Sequence, residues 1–322
     1  MKGKPLPMKD ESQLKGEGDR FLMDCIQRGD PVAFQQLVER FTGRLAAYAT
    51  RRTAGTGIDP EDAVQETFLG LLQSMQKDRH RLGEVRSLEA YLFQILRNKI
   101  IDLSAKRPEA HGLRRIPIAS EDSDGTVEGH EPVAPVGSPS SYLRRDEETQ
   151  VRIRILADIL DEVVSLLKEE KNFRDLKILE LLFLSGLKNR DIAALVGTSE
   201  PTVTRAKQDA LERLARAAAR HPLCGRNSAL PDGEVNTSDL IRRVWRQNLI
   251  SCVKRSTLGA YALGTLEREW RDYIAFHLEH VSCETCAANL EDLQTEGKVN
   301  RRRVKERLFA SSIGFLRHLG TR

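Results

Sequence analysis

The sequence predicts an all-α protein, and three observations support this prediction. Aromatic residues make up only 5% of the 322 residues, and runs of β-branched residues are few. Apolar residues recur at three- and four-residue spacings over long stretches, which is the period of an amphipathic helix. No stretch shows the alternation that a ladder of strands would need. We therefore expect helical domains separated by linkers.

Composition divides the chain into three helical blocks. Between the first two lies a segment rich in Pro, Gly and Ser with an acidic middle, which we interpret as a flexible linker because it has too little apolar surface to order itself. The predicted segments are a disordered N-terminus over 1–18, a first block over 19–107, the acidic linker over 108–147, a second block over 148–222, a short linker over 223–235 and a third block over 236–322.

The start of the chain and its cysteines indicate a cytoplasmic protein. The N-terminal stretch MKGKPLPMKDESQLKGEGDR is charged and has no apolar core of a signal peptide. No uncharged apolar run approaches the roughly 20 residues of a membrane helix. The five cysteines are an odd number clustered late in the chain, which fits reduced thiols or a metal site better than disulfides. The net charge of +4 is mild, so only local clustering would indicate nucleic-acid binding.

The second block contains the clearest motif, GLKNRDIAALVGTSEPTVTRAKQDALERLA over residues 186–215. Gly197 is expected to end a short first helix in the left-handed conformation, with Asn189 as the N-terminal cap of that helix. Ser199 is expected to cap a second helix, with Pro201 in its first turn. The apolar positions of the two helices are Ile192, Leu195 and Val196, then Val203, Ala206, Ala210 and Leu214.

Two helices joined by so tight a turn are the geometry that places the second helix in the major groove of DNA. The outward side chains of that helix are of types that bind phosphates and base edges. These candidate DNA-binding residues are Thr202, Thr204, Arg205, Lys207 and Gln208. The alternative is a helical hairpin with an ordinary solvated face.

The first block has three amphipathic segments that carry a family resemblance: GDPVAFQQLVERFTGRLAAYATRR, DPEDAVQETFLGLLQSM with Asp59 as cap, and RSLEAYLFQILRNKIIDLSAKR. Together they resemble region 2 of bacterial sigma factors of the sigma-70 family, extracytoplasmic-function (ECF) group. The helix-turn-helix motif resembles region 4 of the same group. The order of the segments and the acidic linker also match, over roughly residues 20–220.

The resemblance implies a transcription initiation factor, not an enzyme, whose partners are core RNA polymerase and promoter DNA. The helix of DPEDAVQETF would dock on the polymerase through Glu61, Asp62, Gln65, Glu66 and Phe68. The following helix would read the −10 element through Arg97, Asn98, Lys99 and Asp102, and the helix over 200–214 would bind the −35 element. Two alternatives stay open: an ordinary solvated face on the docking helix, and a helix-turn-helix regulator that never engages polymerase.

The third block contains FHLEHVSCETCAANLEDL over residues 276–293. A structural zinc site takes four Cys or His ligands. Cys283 and Cys286 supply two in a C-x₂-C turn, His277 a third with His280 as competitor, and Cys252 the fourth. The set is similar to the zinc-binding anti-sigma domain, although its usual H-x₃-C spacing is replaced here by His277-x₅-Cys283. The alternative is a packed helical module whose cysteines are small apolar fillers.

We interpret the third block as a built-in regulator that packs on region 2 or region 4. Its apolar positions include Val244, Trp245, Leu258, Leu263 and Ile274. Any metal would be scaffolding, because no catalytic motif or nucleophile–base set accompanies it, and no other cofactor is required. A separate anti-sigma factor is a further candidate partner, whereas a membrane or a small-molecule substrate is not expected.

Overall fold

The computed structural model describes residues 11–77, 85–105, 147–224 and 237–295. Within these ranges the chain forms α-helices and no strand, which confirms the all-α prediction. All but the last residue of the predicted linker over 108–147, most of the linker over 223–235 and the end of the third block lie outside the described residues. The described helices are α1 Glu11–Gln27, α2 Pro31–Thr53, α3 Pro60–Lys77, α4 Leu88–Ala105, α5 Glu147–Glu169, α6 Phe173–Glu180, α7 Asn189–Val196, α8 Glu200–Arg220, α9 Thr237–Gln247, α10 Arg255–Ala262, α11 Arg268–Glu279 and α12 Glu284–Thr295.

The helices fall into two compact units, α1–α4 and α5–α12. In the first unit α2, α3 and α4 each begin where a short polar side chain accepts backbone N–H groups. The Asp30 carboxylate accepts the N–H of Val32 at 2.8 Å at the start of α2, and the Asp59 carboxylate accepts that of Glu61 at 2.8 Å at the start of α3. Such caps satisfy N–H groups that have no partner inside the helix. The predicted cap at Asp59 is confirmed.

The core of the first unit is built from aromatic side chains that meet edge to face. The rings of Phe34 on α2 and Phe68 on α3 lie 6.2 Å apart, and those of Tyr48 and Phe93 lie 5.3 Å apart. Gly70 allows α3 and α4 to approach closely, because a Cβ there would lie 3.1 Å from a methyl group of Ile95. This packing fixes the outer faces of α3 and α4, which carry the predicted polymerase and −10 residues.

The second unit joins the helix-turn-helix domain, α5–α8, to the C-terminal module, α9–α12. A π-helical turn over Leu181–Ser185 follows α6, and Gly186 closes it with a φ of 65°. Two arginines of α9 bind the carbonyl groups of this turn: Arg242 donates to Phe183 and Arg246 to Leu184, both at 3.3 Å. The module thus satisfies backbone groups that the end of a helix leaves without partners.

The two parts of the second unit share one hydrophobic core. Tyr273 of α11 stacks on Phe173 of α6 with ring centroids 5.0 Å apart, and Trp245 of α9 lies 5.6 Å from Phe183. Ile274 of α11 is fully buried in the same core. The module therefore packs on the helix-turn-helix domain. This is one of the two packing sites that the sequence analysis gave for the third block.

Two predicted core positions are wrong. Leu263, predicted inside the module, is 79% exposed, because α10 ends at Ala262 and the chain turns outward before Gly264, which has a φ of 71°. Leu195, predicted on the apolar face of α7, is 43% exposed, because that helix has only eight residues and buries Ile192 and Ala193 instead.

Candidate nucleic-acid interface and metal centre

The helix-turn-helix forms where the sequence predicts it. Gly197 ends α7 with a φ of 69°, and Ser199 is the N-cap residue of α8 with Pro201 in the first turn, although the Ser199 side chain makes no capping hydrogen bond. The predicted cap of α7 is wrong: Lys188 occupies the N-cap position and makes no side-chain bond. The Asn189 amide instead donates to the Thr204 hydroxyl of α8 at 3.3 Å and so ties the two helices together.

The outward face of α8 stays accessible within the second unit. Val203, Ala206 and Ala210 are buried, whereas Thr204, Arg205, Lys207 and Gln208 are exposed and Thr202 is half-buried. Local bonds engage the two hydroxyl groups: Thr202 lies 2.9 Å from the Ser199 hydroxyl, and Thr204 donates to the Glu200 carbonyl at 3.1 Å. Arg205, Lys207 and Gln208 are therefore the side chains most available to a nucleic acid.

The candidate −10 residues lie along α4. Arg97, Asn98, Lys99 and Asp102 are all half-buried. The ammonium group of Lys99 forms an ion pair with Glu66 of α3 at 3.0 Å. A residue predicted to bind DNA is thus paired, in this conformation, with a residue predicted to bind polymerase.

The candidate docking residues on α3 differ in accessibility. Glu61 and Asp62 are exposed in the first turn, and Gln65 and Glu66 are half-buried. Phe68 is fully buried against Phe34, so its side chain supports α3 from the core and does not reach the outer surface.

The four residues predicted as metal ligands come together in the C-terminal module. The ligand atoms of Cys252, His277, Cys283 and Cys286 all lie within 4.8 Å of one another. The Cys252 and Cys283 sulfur atoms are 3.5 Å apart, close to the roughly 3.8 Å that a tetrahedral site with Zn–S bonds of about 2.3 Å requires. His280, the predicted competitor, is exposed beside the Phe276 ring and lies outside the cluster.

Local backbone geometry explains how the longer spacing is accommodated. His277 is in the last turn of α11, and Cys286 is in the first turn of α12. Between them Ser282 adopts a left-handed φ of 52°, and the Cys283 N–H donates to the His277 carbonyl at 3.3 Å. The two extra residues therefore form a tight turn that returns Cys283 to the cluster.

The donor atoms have the electrostatics of a cation site. Hydrogen bonds from the Cys252 and Cys286 thiols lower the pKa of Cys283 well below its usual value, whereas the pKa of Cys252 is raised well above it. One thiol is thus poised to be a thiolate while its neighbours keep their protons. Three sulfur atoms and one imidazole are also the donors of structural zinc sites.

The imidazole of His277 fits the role of ligand. Its Nδ1 lies 2.6 Å from Oε1 of Glu180, and the side chain is 1% exposed. The other ring nitrogen, Nε2, is buried and has no hydrogen-bond partner among the described residues. A buried ring nitrogen without a partner is costly, and a metal ion would satisfy it.

Sequence patterns missed Glu180, which the structure places directly behind the cluster. It lies in the apolar stretch LKILELLFLSG, where a single acidic residue among leucines is the one signal that could have drawn attention to it. Its carboxylate is fully buried and accepts hydrogen bonds from both Tyr273 and His277.

Across the described ranges, no helix combines the length and apolarity that crossing a membrane requires.

Comparisons with known proteins show which families the chain is similar to. Residues 37–108 match the sigma-70 region 2 family. Curated relatives named ECF RNA polymerase sigma-E factor include those of Haemophilus influenzae, 27% identical over 197 residues, and of Escherichia coli K12, 23% identical over 195 residues. These alignments cover 59% of this chain and 92% and 91% of the respective relatives. No solved structure gives a significant match.

These matches support the resemblance to sigma factors that was drawn from the sequence. Residues 37–108 are similar to sigma-70 region 2, and 59% of the chain is similar to factors of the ECF type.

Proposed function

We propose that this protein is a sigma factor that binds core RNA polymerase in the cytoplasm and directs initiation at promoters with −10 and −35 elements. The observation that carries the proposal is the exposed outward face of α8, with Arg205, Lys207 and Gln208 free of the module, in a chain whose region 2 matches the family. In this proposal α8 binds the −35 element, α4 reads the −10 element, and the exposed start of α3 with Glu61 and Asp62 docks on polymerase.

Run-off transcription with purified core polymerase tests the proposal. The full chain should support transcripts from a cognate promoter and should co-elute with core polymerase on gel filtration. The main alternative, a helix-turn-helix regulator that binds operators alone, predicts DNA binding without co-elution. A charge reversal at Asp62, which is exposed, should weaken co-elution and leave DNA binding intact; loss of both would refute the assignment of α3 to docking.

We further propose that Cys252, His277, Cys283 and Cys286 hold a structural zinc ion. The donor set, the buried Nε2 of His277 and the S···S distance support zinc over the other first-row metals. A closed set of four protein ligands leaves no open position for chemistry, so the ion stabilises the module.

Metal analysis of the full chain tests the zinc proposal. The wild-type chain should hold a single equivalent of zinc, and Cys283→Ser should lose it. Cys224→Ser is the matched control, because Cys224 is also in the second unit but lies outside the cluster. Equal zinc contents in the two variants would contradict the proposal.

The module is proposed to regulate the factor in cis through the core that it shares with the helix-turn-helix domain. Support comes from Tyr273 and Trp245, which pack on that domain, and from the outward face of α8, which the module leaves exposed. Deletion of residues 236–322 is not a clean test, because it would remove part of this core. The run-off assay should therefore compare zinc-loaded with chelated full-length protein. Equal transcript yields would argue against regulation by this route. A separate anti-sigma factor stays a prediction.

A further inference from the structure

The carboxylate of Glu180 is an unusual feature of the helix-turn-helix domain. It lies at the end of α6, its side chain is fully buried, and its Oε2 has no hydrogen-bond partner among the described residues. A buried carboxylate is expensive unless polar groups satisfy it. The two side chains that donate to Oε1 both come from α11 of the module: His277 at 2.6 Å and the Tyr273 hydroxyl at 3.1 Å. Glu180 therefore faces the module and not its own domain.

The contact also determines which nitrogen of His277 can bind a metal. A carboxylate can only accept, so a neutral His277 ring beside Glu180 carries its proton on Nδ1 and has its lone pair on Nε2, the other ring nitrogen. Carboxylates that accept from a ligating histidine in this way fix the ring and raise its basicity, and their loss typically weakens metal binding by about 10–100-fold.

A second side chain of the same domain approaches the cluster. The ammonium group of Lys168 on α5 donates to the Cys252 carbonyl at 3.1 Å. Zinc with three thiolates leaves one negative charge in excess, and the Lys168 cation opposes it across the interface.

We propose that the helix-turn-helix domain completes the metal centre of the module: Glu180 is a positioning residue for the ligand His277, so that metal binding and docking of the module on α6 are linked. The inference rests on the proposed zinc site. Linkage is reciprocal, so that a metal ion that favours the docked state is itself bound more tightly in that state.

The first test measures metal affinity in the full chain carrying Glu180→Gln, a change that keeps the shape and removes the charge. Zinc affinity is measured by competition with a chromophoric chelator, and cobalt(II) spectra report the donor set. Glu180→Gln should bind about 10–100-fold more weakly while keeping the cobalt spectrum of three sulfurs and one nitrogen. Glu170→Gln is the matched control, because Glu170 is exposed on the same domain and pairs with Arg213 at 2.9 Å.

The second test needs no variant. Hydrogen exchange of the wild-type chain is compared with zinc bound and after chelation, in the peptide that covers residues 173–185. Exchange there should rise on chelation, although none of the four ligands lies in that segment.

Three outcomes decide between the proposals. If Glu180→Gln binds zinc within about twofold of wild type, or if chelation leaves exchange at 173–185 unchanged, the positioning role is refuted while the zinc site stands. If the wild-type chain takes up no zinc, the zinc proposal fails and this inference fails with it. Weaker binding in Glu180→Gln but not in Glu170→Gln, with the exchange response, supports the linkage.

Discussion

Leu176→Ala tests whether the helix-turn-helix domain and the C-terminal module unfold together. Leu176 is fully buried on α6, in the core that also contains Trp245 and Tyr273 of the module. Removal of a buried leucine side chain costs about 2–5 kcal/mol, because apolar contacts are lost and a cavity remains. With a urea dependence of about 2 kcal/mol per molar, the unfolding midpoint should fall by about 1–2.5 M.

Tryptophan fluorescence is the appropriate assay for this prediction. The chain has two tryptophans, Trp245 on α9 and Trp270 on α11, so both fluorophores belong to the module, and both rings contact aromatic side chains of the helix-turn-helix domain. A substitution in the helix-turn-helix domain should shift the unfolding midpoint that fluorescence reports if the shared core unfolds as a single cooperative unit. Zinc must be held at a fixed concentration, because a ligand of the folded state adds to apparent stability.

The matched control is Leu263→Ala, the same chemical change at a side chain that is 79% exposed. It should alter the midpoint by no more than a few tenths of a molar, since surface substitutions usually stay within about 0.5 kcal/mol. A Leu176→Ala chain whose fluorescence transition coincides with that of wild type would refute the shared core, especially if circular dichroism showed a separate, earlier transition.

Three further predictions concern single side chains. Arg205→Ala should weaken promoter DNA binding and reduce the slope of log affinity against log salt by about one. Arg213→Ala on the same helix should change neither the affinity nor the slope, because Arg213 is paired with Glu170. Binding titrations at several salt concentrations measure both quantities. Gly197→Ala should cost about 1–2 kcal/mol in urea unfolding, because its left-handed φ of 69° strains a side chain although the space is open. Glu89→Ala should cost about 1–3 kcal/mol, measured by circular dichroism, because the buried guanidinium of Arg44 loses a carboxylate 3.0 Å away.

Local patterns in the sequence predicted most of the fold. The helices follow from apolar spacing, and their ends follow from residues such as Asp59 and Gly197, whose effect on the backbone is local. The two wrong core positions also have a physical cause. Leu195 and Leu263 fit an apolar period but lie at the ends of eight-residue helices, where the chain turns and the buried face is short.

The candidate metal cluster was predictable only in part. Residue type identified the four candidate ligands, but the geometry of the His277-x₅-Cys283 spacing depends on the left-handed Ser282, which no pattern indicated. Glu180 and Lys168 could not be found this way, because each meets the cluster across a long separation in sequence: 97 residues between Glu180 and His277, and 84 between Lys168 and Cys252. Periodicity describes contacts within a helix and carries no information about such pairs.

The shared core constrains how the module can regulate the factor. Trp245, Tyr273 and Ile274 are almost fully buried, and each such side chain contributes about 1.5–3 kcal/mol by leaving water. Their sum, about 5–9 kcal/mol, is comparable to the 5–15 kcal/mol that stabilises a whole domain. Complete release of the module would therefore threaten the fold of the helix-turn-helix domain, which we propose binds DNA. A module that stays docked could still alter the stability of that domain through the candidate metal cluster and its contact with α6. It would do so without exposing the buried side chains of the shared core.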